Sequence, residues 1–542
     1  MKALAISALL ALIGTTAAYR LFPKVDGLGK YPATISRGEA ITRARQLAAR
    51  YGRNVDGWTT WVDGNRDENT AEFLRTMSDH PLVRTTRPYK YVLVFTRGPF
   101  RVRVEMSGDG VPLEFSYRNG RRPEFSGQAL TKEQEAGVLA DFAGPDAGRF
   151  VQVSSVNRGA QGHLTTWEWK VEDQPDLIRQ LEVTSSPDGI RRAAIRNEFS
   201  AAMLQRVAAA FVGSGFNAVV ISVLLVMGIT LTNALFFAGL ARGQIKPGPA
   251  LRMFAALMAI WAVGFWGSAD LDGLLIGANA ANQPPPEQLL RALGVAMATM
   301  GLFPAMWAVG RWLMRSAGLE RWRTWDALLE GRVWRRAVGR SVACGFLLGV
   351  ALLAIPMSLC AARIFARSET TLSSPASLAA GAPVALPLSF LMPWDLSGIF
   401  FLLVPLASMA YGRKWVPERL RWLLLSVLAV VLVAFVRKPV LDYGGNFVAA
   451  GILAAAFLAI YHWLDLLAVM MAEVGYSAAL VAVYFLNQHS PAIQTNGIVI
   501  AAAYGMVALA GVAALLWAPE LEAASEEAVV VIAAERDRKS VV

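Results

Sequence analysis

The sequence predicts a mostly α-helical membrane protein: a polytopic transmembrane helix bundle of about nine spans, with an N-terminal anchor and an α+β extracytoplasmic domain. Hydrophobic residues make up 55% of the 542-residue chain and charged residues only 17%, whereas soluble proteins average about 25% charged residues. The distribution is also uneven. Residues 20–200 are ordinarily charged, but residues 201–520 contain repeated apolar stretches, each of about 18 residues or more and therefore able to cross a hydrocarbon core.

The first segment, residues 1–20, begins with Lys2 and continues as a largely apolar run from Ala3 to Ile13. Small residues follow at Thr16-Ala17-Ala18. This pattern is typical of a signal peptide or of an uncleaved anchor, and the weak cleavage signal favours the anchor. Either of the two exports the residues that follow.

Residues 30–198 predict an exported α+β domain of two similar units. Each unit opens with a capping box, Ser36 with Glu39 and Thr131 with Gln134, which marks the start of a helix. Predicted strands and hairpin turns then follow in both units: Tyr91–Phe95, Phe100–Met106, Gly108-Asp109-Gly110 and Pro112–Tyr117 in the first, and Phe150–Val156, Thr165–Val171, Gln180–Thr184 and Pro187-Asp188-Gly189 in the second. Each unit resembles the PepSY-like modules found outside bacterial membranes. We expect the region to be a spacer or binding module without chemistry.

Residues 206–519 form the predicted transmembrane domain. Its nine predicted spans are 212–239, 253–270, 289–310, 341–363, 391–411, 421–437, 445–463, 464–486 and 497–517. Connecting loops rich in basic residues alternate along the chain with loops that contain few of them, and loop 311–340 alone holds eight Arg. Basic loops stay in the cytoplasm. This predicts residues 20–200 outside and the C-terminus, with tail 520–542, inside.

The net charge of +11 follows from these loops, so we expect the lipid bilayer as partner and no nucleic acid. Segment Glu320–Arg340 combines Trp322, Trp325 and Leu329 with surrounding Arg residues. It reads as a basic amphipathic helix on the inner membrane surface.

No cofactor or metal site is expected. Cys344 and Cys360 lie in one predicted helix, about 24 Å apart, which is too far for a disulfide. Ionisable residues at membrane depth are functional candidates. Most of these lie near span ends, at Asp270, Asp272, Asp395, Arg437, Lys438, Asp442, His462 and Asp465, and only Glu473 lies well inside a span.

The layout resembles the CPBP family of CAAX prenyl proteases and bacteriocin-processing intramembrane proteases. The stretches Met392–Ser408 and Gly451–Ala479 are similar to core spans of that family. Members carry a Glu-Glu-x-x-x-Arg motif, a His after an apolar helix and a His-x-x-x-Asn/Asp motif, which hold a metal or activate water. The matching positions here are Met409, Ala410, Lys414, Arg437, Glu473 and Ser477.

These departures remove the expected chemistry, because Met and Ala cannot activate water and a cation repels a metal ion. The resemblance therefore implies a degenerate, non-catalytic scaffold or sensor in a bacterial cytoplasmic membrane, with a possible membrane protein partner. Arg437 and Glu473 are a candidate salt bridge across the vacant site.

Two alternatives stay open at this point. The first is an active intramembrane peptidase with a diverged site built from residues such as Asp395, Asp442, His462 and Asp465. The second is a small-molecule transporter or channel, which would predict internal repeats and broken helices.

Overall fold

A computed structural model describes most of the chain. The described ranges are 2–66, 89–119, 128–171, 177–205, 229–267, 304–312, 323–364 and 443–519, with isolated residues between them. All structural statements below refer to these residues.

The described strands form one eight-stranded antiparallel sheet. Its strands are β1 (Thr59–Arg66), β2 (Tyr89–Arg97), β3 (Phe100–Ser107), β4 (Pro112–Asn119), β5 (Val151–Asn157), β6 (His163–Lys170), β7 (Leu177–Ser186) and β8 (Gly189–Phe199). The strand order is β1-β2-β3-β4-β8-β7-β6-β5. Two four-stranded meanders therefore meet at their last strands, where Phe115 of β4 pairs with Ala193 of β8.

Both predicted hairpin turns are present and depend on glycine. Gly110 follows β3 with a φ of 86°, and Gly189 begins β8 with a φ of 105°. Residues with a Cβ atom rarely adopt positive φ values, whereas glycine adopts them without a steric penalty.

Each meander is preceded by a helix that starts where the sequence predicts. Helix α2 (Arg37–Arg50) is capped by Ser36, helix α3 (Lys132–Ala143) by Thr131, and both capping boxes are complete. The two helices lie on the same sheet face. The Tyr51 hydroxyl at the end of α2 donates to the Asp141 carboxylate of α3 over 3.0 Å, and the Tyr51 ring contacts Phe115 of the sheet at 5.0 Å.

The remaining helices include the membrane-spanning candidates. Helix α1 is Lys2–Val25, α4 is Ile229–Ala241, α5 is Pro247–Gly267, α6 is Arg323–Leu329, α7 is Arg336–Leu352, α8 is Ala354–Ala361, α9 is Tyr443–Trp463, α10 is Leu466–Leu486 and α11 is Pro491–Trp517. A further turn of helix, Gly27–Lys30, follows α1.

Within the described residues, five helices are long and apolar enough to cross a membrane. They are α1, α7 continued by α8, α9, α10 and α11. The last four match predicted spans, and the chain is a membrane-associated protein by this measure. Predicted span 391–411 lies outside the described residues, and spans 212–239, 289–310 and 421–437 are described only in part, so the count of nine stays a prediction.

Small residues let the membrane helices approach at backbone contact distance. Gly345 and Gly349 of α7 face the backbone of Ala468 and Ala472 in α10, leaving no room for a Cβ atom. Gly14 of α1 meets the backbone of Ala351 in the same way. Lipid tails are as apolar as the helix surfaces, so the hydrophobic effect does not bring such helices together within a bilayer. Close van der Waals packing through small residues stabilises their contact instead.

Segment Glu320–Arg340 differs from the single amphipathic helix that we predicted. Helix α6 ends at Leu329, a turn follows, and α7 begins at Arg336. Gly331 in this turn has a φ of 80°. Helix α6 is also bonded to the neighbouring helices, because the Thr324 hydroxyl donates to the Asp465 carboxylate at the start of α10 over 2.8 Å.

We predict that Gly349→Ala destabilises the bundle while Gly505→Ala does not. A Cβ at position 349 collides with the Ala472 carbonyl, whereas position 505 in α11 is open within 4 Å. Overpacking of this kind costs about 1–3 kcal/mol. Thermal unfolding of the two purified variants in detergent measures the difference, and equal melting temperatures would refute the close contact.

Candidate functional site at the junction of sheet and helices

The eight-stranded sheet with α2 and α3, here called the sheet domain, is joined to the membrane helices at a junction. It is formed by the buried residues Ala33, Tyr89, Gly108, Tyr484 and Gln488 and by the exposed His489. Ala33 lies in the linker between α1 and α2, and both of its backbone groups bond to the connection between α10 and α11. Its N–H donates to Oε1 of Gln488 over 2.8 Å. Its carbonyl accepts the N–H of His489 over 2.9 Å.

Gln488 is completely buried, and its amide group is bonded at both ends. Nε2 donates to the carbonyl of Tyr484 over 2.9 Å, while Oε1 serves Ala33. The Gln488 backbone carbonyl accepts Nε2 of Gln494 over 2.7 Å. This one side chain therefore connects the linker to the last turn of α10.

The other side of the linker is bonded to the sheet. The carbonyl of Gly108, in the β3–β4 turn, accepts the N–H groups of Thr34 at 2.9 Å and Ile35 at 3.2 Å, and the Gly108 N–H donates to the Tyr89 carbonyl over 3.1 Å. The Tyr91 hydroxyl donates to the Ile35 carbonyl over 2.9 Å. The linker thus lies between the sheet and the helix connection, with backbone bonds to both.

Aromatic side chains fill the junction. Tyr89 of β2 and Tyr484 of α10 are at most 2% exposed. Tyr484 contacts Phe22 of α1 edge-on, with ring centroids 6.0 Å apart. Burial raises the pKa of the Tyr89 hydroxyl far above its ordinary value, with a further contribution from Tyr91. The hydroxyl is therefore neutral at physiological pH, and the Tyr89 ring packs edge-on against Tyr91 with centroids 5.2 Å apart.

The end of α1 contributes a buried carboxylate beside this cluster. Asp26 is fully buried and accepts the Thr370 hydroxyl over 2.8 Å. The Thr370 N–H donates to the Val25 carbonyl, also over 2.8 Å. The chain leaving α1 is thereby fixed where it enters the linker.

Helix α10 is held at its opposite end by a second buried polar network. Asp465 is 5% exposed and caps α10 by accepting the Ala468 N–H over 2.8 Å. It also accepts the hydroxyls of Thr324 in α6 and Ser341 in α7. Asp465 was predicted to lie at a tight turn, and it does, between α9 and α10.

The residues singled out by the family resemblance fall into two groups. Glu473 and Ser477 both lie in α10, where Glu473 is fully buried and Ser477 nearly so. Met409, Ala410, Lys414 and Arg437 lie outside the described residues. The proposed salt bridge between Arg437 and Glu473 therefore stays a hypothesis. Among the described residues, no group of three or more His, Cys, Asp or Glu side chains could hold a metal ion.

The sheet face opposite α2 and α3 is strongly polar. Alternation along the strands places Arg101 and Arg103 of β3 on this face, together with Arg118 and Ser116 of β4, which pair directly with them. Arg192 of β8 pairs with Ser116 from the other side. Arg101 and Arg118 form one cross-strand row, and Arg103, Ser116 and Arg192 form the next row. We call these two rows of side chains the arginine face. Burial lowers the pKa of Arg101, and the like charges of Arg103 and Arg118 lower it further.

Two glutamates in the next row orient these arginines. Glu105 accepts Arg103 through both Nε, over 3.1 Å, and Nη2, and it accepts Lys90 Nζ over 2.7 Å. Glu114 accepts Arg192 Nε over 3.3 Å. Burial raises the pKa of Glu105, but the charges and hydrogen bonds of Lys90 and Arg103 outweigh this effect, and its pKa lies below the ordinary value.

No family model matches this chain, and no curated protein or solved structure matches it either. The similarity to CPBP proteases and to PepSY-like modules therefore stays a prediction from the sequence.

We predict that Glu105→Gln destabilises the sheet domain near neutral pH and flattens its acid dependence. A carboxylate with a lowered folded-state pKa stabilises the protein above its unfolded pKa, and this stability is lost as the pH falls through the folded pKa. The free energy of unfolding of the native protein should therefore decrease as the pH is lowered below about 4.5. At pH 7 the variant loses about 1–3 kcal/mol, because hydrogen bonds to a charged group are removed.

Chemical denaturation between pH 3 and pH 8 measures this dependence. Glu198→Gln, at an exposed position of β8, is the matched control and should change stability by less than about 0.5 kcal/mol. Parallel pH curves for native protein and Glu105→Gln would show that the ion pairs do not stabilise the sheet.

Proposed function

We propose that this chain is a non-catalytic membrane protein that acts as a sensor or scaffold. The sheet domain binds a ligand or partner outside the bilayer, and the junction passes its bound or free state to the membrane helices. The observation that carries this proposal is the pair of backbone hydrogen bonds at Ala33, because they join the two parts of the molecule through buried, satisfied polar groups.

The bonding pattern of the junction suits transmission of a movement. A buried polar group left without a partner costs about 1–3 kcal/mol. The linker therefore cannot shift relative to Gln488 or Gly108 without losing bonds on that side, and it would move together with both. Packed interfaces of this kind respond as discrete arrangements, which is how small shifts at one site produce a change at another.

Helix α10 provides a path from the junction to the far end of the bundle. Its 21 residues span about 30 Å. Tyr484 and Gln488 lie at one end, and the network of Asp465, Thr324 and Ser341 lies at the other. A displacement at the junction would therefore reach α6 and α7 through a single continuous helix.

The non-catalytic part of the proposal rests on the family resemblance. Position 473 carries Glu where the family has His, and position 477 carries Ser where it has Asn or Asp. Both residues lie in α10, the helix that links the two polar networks. We propose that this helix serves a mechanical role in this chain instead of a hydrolytic one.

We predict that Gln488→Met separates the unfolding of the sheet from that of the helices. Native protein should lose strand and helix signals together on heating, as followed by the infrared amide I band. The variant keeps the size of the side chain but leaves the Ala33 N–H without its acceptor, which costs about 1–3 kcal/mol. The strand signal should then disappear at a temperature roughly 2–10 °C below the helix signal.

Gln152→Met, on the exposed edge strand β5, is the control and should keep the two signals coincident. Separate transitions in native protein, or coincident ones in Gln488→Met, would contradict coupling through the junction. Hydrolysis of a membrane peptide by the purified protein, abolished in Glu473→Gln, would contradict the non-catalytic assignment.

A further inference from the structure

We infer that the end of the membrane bundle farthest from the sheet domain binds the headgroups of anionic phospholipids. The binding surface combines exposed arginines with exposed tryptophans at the ends of three helices, and we call it the basic end. Its members are Arg332, Trp334, Arg336, Arg340, Trp463 and Trp517. This interaction lies away from the junction and does not depend on the sensor role.

Helix α10 sets the distance between the basic end and the sheet domain. It runs from the Asp465 network to Gln488 at the junction, and its 21 residues span about 30 Å. This length equals the thickness of the hydrocarbon core of a typical bilayer, about 30 Å. When the junction lies at one surface of the membrane, the Asp465 network therefore lies at the other.

Three exposed tryptophans lie at this far surface. Trp463 is the last residue of α9, Trp517 is the last residue of α11, and Trp334 is in the turn before α7. Their side chains are between 49% and 78% exposed. Tryptophan is enriched where membrane helices meet the headgroup layer, because its ring is apolar and its N–H is polar.

Hydrogen bonds place these helix ends at one level of the bundle. The Arg336 N–H at the start of α7 donates to the carbonyl of Pro519, which follows α11, over 3.1 Å. Asp465, which follows α9, accepts the Ser341 hydroxyl of α7. Arg336 and Ser341 are five residues apart, or about 7.5 Å along the helix. The ends of α9 and α11 therefore reach the same short section of α7.

The same section of α7 presents basic side chains to the outside. Arg336 and Arg340 are both exposed, and a spacing of four residues places them on one helix face in successive turns. Arg332, in the turn before α7, is 54% exposed, and its nearest contact with Glu330 is 3.6 Å, which is too long for a hydrogen bond. Guanidinium groups and the exposed indole of Trp334 thus lie side by side.

Cations outnumber carboxylates among the described residues at this end. Lys2 belongs to the set because α1 leads into the linker at the junction, so that its first residue lies at the opposite end. The basic residues are Lys2, Arg311, Arg323, Arg332, Arg335, Arg336 and Arg340, and the acidic residues are Asp326, Glu330 and Asp465. Asp465 is buried, and Arg311 pairs with both Asp326 and Glu330. The outer surface therefore carries a net positive charge.

This combination of side chains fits an anionic phospholipid better than a free anion. Guanidinium groups bind phosphate oxygens through charge-assisted hydrogen bonds, and inorganic phosphate could supply these. Trp463, Trp517 and Val333, which is also exposed, would gain nothing from it. A phospholipid places its phosphate at the level of the arginines and its acyl chains beside the apolar helices. A negative headgroup is preferred over phosphatidylcholine, whose own ammonium group offsets the phosphate charge.

Native mass spectrometry of the full-length protein in detergent tests this inference, with dioleoylphosphatidylglycerol and dioleoylphosphatidylcholine as the two probes. Native protein should bind the phosphatidylglycerol more tightly. Arg340→Gln and Arg332→Gln should each weaken that binding by about fivefold, the contribution of one basic residue near an anionic membrane surface, and leave phosphatidylcholine binding unchanged. Arg332 lies outside the helices, so its replacement keeps α7 intact. Arg196→Gln, at an exposed position of β8 in the sheet domain, is the matched control and should bind as native protein does.

Equal affinity of native protein for the two lipids would overturn the inference, as would unchanged phosphatidylglycerol binding in both arginine variants. An equal loss in Arg196→Gln would also overturn it, since it would indicate attraction by net charge alone. Displacement of the lipid by excess inorganic phosphate would show that the arginines bind a free anion instead. The unfolding experiment on Gln488→Met concerns the other end of the bundle, so either result can fail without the other.

Discussion

The two hydrogen bonds at Ala33 are the constraint on which the relation between the sheet domain and the membrane helices depends. They are made by backbone atoms on one side and by Gln488 and His489 on the other. Because the linker is only a few residues long and is bonded to Gly108 as well, it behaves as a spacer of fixed geometry. The sheet is consequently held on the end of α10 and does not hang from α1 by a loose tether.

A rigid junction matters only if the helices behind it are rigid too, and the glycines of the bundle supply that property. Gly345 and Gly349 bring the backbones of α7 and α10 into direct contact. Asp465 then ties the start of α10 to α6 and α7. Helix α10 thus connects two buried polar networks at opposite ends of the bundle.

Local features of this fold could be predicted from the sequence, and non-local ones could not. The capping boxes at Ser36 and Thr131 and the turns at Gly110 and Gly189 depend on residues within three or four positions of each other, and the structure has all of them. Strand β1 was not predicted, because Gly64 interrupts a short run that also contains charged residues. The pairing of Phe115 with Ala193 joins strands that are far apart in sequence, and no local pattern encodes it.

The junction was missed for a related reason. Gln488 is an uncharged residue after a membrane helix, and its acceptor role depends on Ala33, which is 455 positions away. Sequence reasoning instead selected charged residues at membrane depth, and of these Asp465 and Glu473 are indeed buried in the bundle. The sequence did contain a signal for a buried polar connection. It is the polar end of the apolar helix α10, where Tyr484, Asn487 and Gln488 precede Pro491.

Native-state hydrogen exchange of the Ala33 and His489 amides tests the central claim most directly, in full-length protein reconstituted in lipid nanodiscs. If the sheet and the helices are joined as described, both amides exchange at the same slow rate, close to that of the amides in the middle of α10, since they are released only by a shared opening. An Ala33 amide that exchanges as fast as an exposed linker amide, while His489 stays protected, would contradict the account.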